Sequence, residues 1–140
     1  IADQLIRNLN QQINKTDPII VATFVDVNDL EKSSTFGRII AEQISSRLSQ
    51  KGYKVTEVKF RQNSVFTEKR KGEFFLSREL RNISKKHNVS VVVVGTYGEA
   101  YNAMYVSARI ITPSDSAVIS SCDFALQLGP RSQAMLSRGN

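Results

Sequence analysis

The chain has 140 residues, 41% of them hydrophobic, and its 19 basic against 13 acidic residues leave a net charge of +6 and a sequence pI near 9.7. That is one domain, with enough apolar content to form a core without a metal or disulfide staple, and the lone Cys122 rules out a disulfide within the chain. No apolar run approaches the ~20 residues of a membrane-spanning helix, while the basicity admits nucleic acid, acidic proteins, headgroups or cell-wall polymers without selecting one.

Residues 2–15 place Leu5, Ile6, Leu9 and Ile13 on one helical face, and Pro18 disfavours helix just before it. Ile1 opens this amphipathic segment and not a signal peptide; a leader was never present, was removed, or lies outside the sequence. Ile19 to Val25 is short, apolar and β-branched, the pattern of a buried strand. A polar loop, Asp26 to Ser34, follows, and Ser33, Ser34 or Thr35 can cap the next helix. That helix carries Phe36, Ile40, Ile44 and Leu48 at steps of four and stops at Lys51-Gly52. Lys54 to Phe60 reads as a strand whose charges suit an edge.

Arg61 to Gly72 is basic and irregular, with a short extended piece at Ser64 to Thr67. Phe74 and Phe75 fall at the start of a third helix, on which Leu76, Leu80, Ile83 and His87 align. Val89 to Tyr97, with four consecutive valines, predicts a strand buried on both faces. Strands at Met104 to Thr112 and Ala117 to Leu128 flank the turn cluster Pro113 to Ser116. The expected fold is α/β: one mixed five-stranded sheet of order 2-1-3-4-5, three helices and a C-terminal antiparallel meander. It forms a single domain over 1–128, with a loose tail from Gly129 to Asn140.

Chemistry is sparse along this layout. Gly37, Gly95 and Gly98 form no phosphate loop, and Gly95 more simply allows a close backbone approach. Asp26, Asp29 and Glu31 could serve as acid and base or hold a cation, but loop hydrogen bonds are the plainer reading. His87 lacks companion metal ligands, and Cys122 with His87 lacks a third group to orient a nucleophile. Arg38 and Glu42 have the spacing of a helical ion pair. Arg109 shares a strand face with Tyr105 and Ser107, where an arginine wants a carboxylate or a partner subunit. Glu68 to Phe75, EKRKGEFF, interleaves positive charge with aromatics as single-strand binders do; a solvated loop leading into a core helix accounts for it better, so no nucleic-acid partner is expected. Neither an enzyme nor a cofactor site is expected.

Several motifs recur together in a fixed order: FVDVNDLEKSSTFGR (Phe24 to Arg38), AEQ (Ala41 to Gln43), GEFFLSREL (Gly72 to Leu80), VVVVGTY (Val91 to Tyr97) and YVSAR (Tyr105 to Arg109). With them the chain resembles, from Ala2 to Leu128, the FlgO family of flagellar outer-membrane-associated proteins. Family members often carry asparagine where this chain has Ser107. More distantly, the architecture is similar to the TolB N-terminal domain and the CsgG periplasmic domain. The resemblance implies a periplasmic, non-enzymatic component of the flagellar basal body that forms or supports a ring at the outer membrane and is needed for motility. It implies homo-oligomer formation and contact with other basal-body ring proteins. Any lipid anchor would lie before Ile1, and in an exported protein the Cys122 thiol should be buried. The alternative is a monomeric periplasmic module recognising a protein, lipid or cell-wall ligand. The interface residues expected on these motifs are Asp26, Asn28, Arg38, Glu73, Arg78 and Arg109. Both outer strands, Lys54 to Phe60 and Ala117 to Leu128, and the loops Asp26 to Ser34 and Arg61 to Gly72 are the expected contact surfaces.

Overall fold

The computed structural model describes residues 1–30, 34–56, 66–70 and 73–127, with the side chains of 66–70 and 73–75 left aside. The most apolar segment lies centrally: β5 (Val91–Ala100) pairs in parallel with β1 (Ile19–Val21) and β2 (Val25–Asp26) on one side. On the other side it pairs antiparallel with β6 (Ala103–Thr112), which pairs with β7 (Ala117–Gln127). This is the expected mixed α/β sheet with its antiparallel meander. The order differs slightly from the expected 2-1-3-4-5: the described sheet runs β1-β5-β6-β7 with β2 also on β5, and of the expected edge strand only Val55 is seen, as an isolated parallel bridge to Ile19. The rest of that expected edge strand, residues 57–60, lies outside the described residues, as do Glu31 and the tail 128–140.

One sheet face is covered by α1 (Ala2–Arg7) and α2 (Thr35–Gln50). On α2 the side chains of Phe36, Ile40, Ile44 and Leu48 are all buried, as their spacing requires. The Ser34 hydroxyl accepts from Gly37 N at 3.3 Å and fixes where α2 begins. Gly52, at φ +95°, turns the chain out, and Tyr53 N then donates to Leu48 O at 3.0 Å. Asp3 joins the two helices, 2.9 Å from Arg47 Nε and 3.1 Å from Lys51 Nζ. The other sheet face is covered by α3 (Arg78–Lys86), which sets Leu80 and Ile83 against Ile20, Val92 and Val94.

Four expectations change in detail. The first helix is one and a half turns, not residues 2–15. Asn8 Nδ2 donates to Ser121 O at 2.8 Å and Asn10 N to Ile119 O at 2.9 Å, so tertiary hydrogen bonds replace the helical ones; Leu9 and Ile13 still pack on the core. The first strand is broken into β1 and β2. Between Val21 and Val25 the chain advances four residues while β5 advances three, from Val93 to Thr96, and the extra residue lets Phe24 settle across Gly95. Phe74 and Phe75 belong to a strand, not to a helix start. β3 (Phe66–Arg70) and β4 (Glu73–Leu76) form a two-stranded antiparallel hairpin, because Ser77 caps α3 through Leu80 N at 3.1 Å and leaves the residues before it free to extend. His87 is the exposed C-cap of α3 and not part of its buried stripe.

Candidate functional site

Strand β2 stops at Asp26 while β5 runs on to Ala100, and in open α/β sheets the carboxyl ends of parallel strands are where a crevice forms. Asp26 lies opposite Tyr97 in the ladder, and its Oδ1 accepts from Asn28 N at 2.8 Å. That bond turns the loop within two residues, as short acidic side chains do. From the other direction the start of α2 brings Ser34, Phe36 and Arg38. Phe36 meets Tyr97 edge to face, with centroids 5.5 Å apart and planes at 71°. Three of the predicted interface residues, Asp26, Asn28 and Arg38, are thus drawn to one place.

At their centre is Tyr97, only 3% exposed, a residue read from sequence simply as strand. Burial pushes its phenol above the ordinary value; Asp26 adds to the rise, while Ser34 and Arg38 oppose it. Ser34 lies near, yet the Tyr97 hydroxyl meets hydrogen-bond geometry with nothing among the described residues. A phenol held protonated this way is neither a general base nor an activated nucleophile at neutral pH. Arg38 makes no pair with Glu42; its guanidinium donates to Thr35 Oγ1 at 3.2 Å.

A cavity of about 410 Å3 opens beside this lip, on the same sheet face as α3 but toward β6 and β7. Val27 and Asn28 form one wall, Tyr105 and Asp123 the other, and Thr96 and Ser107 lie between them. Its size is that of a small-ligand or side-chain pocket. The Ser107 hydroxyl is buried without a hydrogen-bond partner among the described residues, and Val27 and Tyr105 keep 41% and 51% of their surface exposed. At the mouth Tyr101 and Asn102, φ 50° and 61°, form the two-residue hairpin turn between β5 and β6. Tyr101 is 97% exposed, which no packing requirement explains. The only sequence signal for it was an aromatic beside a turn-forming asparagine.

The other predicted residues are dispersed. Arg109 is exposed on β6, on the face of Tyr105 and Ser107 as alternation predicts, and has no ion-pair partner among the described residues. Arg78 is exposed in the first turn of α3, and Glu73 is a backbone position of β4 whose side chain lies outside the description. Cys122 is a free thiol, half-buried against the α1–α2 core, where full burial was expected. Among the described residues no group of three or more His, Cys, Asp and Glu gathers as metal ligands would, and no helix is long and apolar enough to cross a membrane.

Solved structures of similar fold include the C-terminal domain of LpoB from Escherichia coli, at TM-score 0.62 and 10% identity, covering 91% of this chain and 95% of that one. The same domain from Salmonella enterica gives 0.60 at 13% identity, covering 91% and 93%. A PelC dodecamer from Paraburkholderia phytofirmans gives 0.54 at 12% identity, covering 91% and 86%. No curated protein sequence matches the chain. The family model described as FlgO protein matches residues 1–131, and the chain belongs to that family.

Proposed function

We propose, with membership of the FlgO family as the premise, that this chain is a non-enzymatic structural component of the flagellar basal body. It acts in the periplasm at the outer membrane, where it forms or supports a ring and is needed for motility. Its partners are copies of itself and other basal-body ring proteins, met through surface complementarity. The family match over residues 1–131 carries this reading. Two things support it. The Tyr97 phenol at the centre of the site is kept protonated by burial, which suits a packed binding surface. The similar fold of PelC is a dodecamer, so the architecture is compatible with a closed assembly of many copies.

The test is an immunoblot for this chain on purified basal bodies washed in high salt. Retention supports the structural role. Absence from the pellet, with the chain free in the periplasmic fraction, overturns it.

The cavity of about 410 Å3 between Val27 and Tyr105 favours a second reading, a monomeric module that binds a protein, lipid or cell-wall ligand. A mass that stays constant with concentration, together with saturable binding of peptidoglycan fragments or phospholipid vesicles lost in Tyr105→Ala, would establish it in place of the ring.

A further inference from the structure

Among the described residues, the outer edge of β7 is covered over half its length and open over the other half. Asn10 and Asn8 hold the carbonyls of Ile119 and Ser121, and the Ser120 hydroxyl donates to Leu5 O. Beyond Ser121 this cover stops. The tight β5–β6 turn, in which Ala100 faces Ala103, makes alternate β6 residues from Met104 onward bond to β7, so Leu126, Phe124 and Cys122 bond inward. The N–H and C=O groups of Asp123, Ala125 and Gln127 therefore point outward, and no partner meets them among the described residues. Five residues of exposed edge would ordinarily be blunted by lysine, proline or a bulge. Here the segment 123–127 has none of these.

We infer that this half-edge is a self-association site, at which β7 of a second copy pairs antiparallel about a two-fold axis passing through Ala125. The inference deepens the assembly reading above and rests on it. Complementarity selects both the occupant and the register. With Ala125 opposite itself, Phe124 faces Leu126 of the second copy and Leu126 faces its Phe124, on the helix-covered side of both sheets. On the other side Asp123 faces Gln127. Apolar side chains meet apolar ones, and each carboxylate meets a neutral amide. Centring the axis on Asp123 would set two carboxylates directly opposite, which is unfavourable, and would need the Ser121 carbonyl that Asn8 already holds.

The inward side of this edge also has room. A cavity of about 580 Å3 borders it, lined in part by Ile1, Ile40, Phe124 and Leu126, and Leu126 is 39% exposed on its rim. The second copy's Phe124 and Leu126 would close that cavity. The pairing adds about six backbone hydrogen bonds. An isologous contact of this kind closes on itself, so a ring would be built from dimers.

The full chain is examined by sedimentation velocity over a concentration series, beside Ala125→Pro. Proline at 125 removes only an outward N–H and leaves the β6–β7 ladder complete. The expected result is a concentration-dependent dimer for the parent chain and at least a ~tenfold weaker one for A125P, with the same circular dichroism. A parent chain that stays monomeric, or A125P dimerising like the parent, overturns the inference. Should A125P fail to fold, Ala125→Cys in a Cys122→Ser background decides. Opposed residues of a hydrogen-bonded pair lie ~5.5 Å apart at Cα, within disulfide reach. A crosslinked dimer from Ala125→Cys and not from Ser121→Cys supports the register, and no crosslink overturns it. The basal-body blot reports separately: retained chain without dimerisation removes the β7 contact and leaves the structural role standing.

Discussion

At the scale of single residues, two positions show how local chemistry becomes structure. Asp3 sits between Arg47 and Lys51, whose hydrogen bonds and charges hold its carboxyl down at about 2, against an ordinary 3.8. The folded value is depressed, so the pair's contribution is in place above 3.8 and is lost as pH falls through about 2. Urea midpoints measured from pH 5 to pH 2 should fall more steeply for the parent chain than for Asp3→Asn. Gly95 is the second position. A Cβ there would lie 2.2 Å from Phe24 Cε2, and Phe24 is fully enclosed with no room to withdraw. Gly95→Ala should therefore cost about 1–3 kcal/mol, read as a lower urea midpoint, and Phe24→Leu in the same chain should restore part of it. From sequence, Gly95 was expected to let another backbone approach; what lies against it is the Phe24 side chain, placed there by the extra residue between β1 and β2.

At the scale of elements, capping was the readable part and length was not. Ser34 begins α2 by satisfying a backbone N–H, a signal contained within four residues and read from sequence; Ser77 begins α3 in the same way, but the sequence pattern placed that helix start at Phe74 and Phe75. The first helix stops early because Asn8 and Asn10 find better partners on β7, more than a hundred residues away. The hairpin of β3 and β4 escaped periodicity because charged and aromatic residues alternate through it without a clear period. Tyr101 belongs to this scale too. It holds φ 50° in a tight turn that favours asparagine or glycine, and its ring covers nothing. Tyr101→Asn should raise stability by about 0.5–1 kcal/mol in thermal unfolding, while weakening any contact the exposed ring makes in an assembly.

At the scale of the whole molecule, the two sheet faces differ in cover. One is closed by α1 and α2, whereas among the described residues the apolar cluster under α3 takes in β1, β2, β5 and, from β6, Ile111. The β6–β7 half of that second face carries Tyr105, Arg109 and Asp123 in the open. Arg109 is exposed and pairs with nothing among the described residues, so Arg109→Ala should change unfolding free energy by less than about 0.5 kcal/mol. Its retention on salt-washed basal bodies should nevertheless fall. Full retention would make Arg109 an ordinary solvent-face residue.

The sequence by itself determined the fold class, the buried stripe of α2, the central β5, the meander of β6 and β7, and the family. Each of these rests on local periodicity, on short caps, or on motifs in fixed order. Only the tertiary structure decided that Asp26, Asn28 and Arg38 meet around Tyr97 while Arg78 and Arg109 lie apart. It alone opened a cavity beside Ser107 and left Asp123 to Gln127 of the β7 edge unpaired among the described residues. Those outcomes depend on register, on one inserted residue and on hydrogen bonds between distant segments. Side-chain spacing repeats every two or 3.6 residues; it tells which face a residue occupies and not what lies across from it.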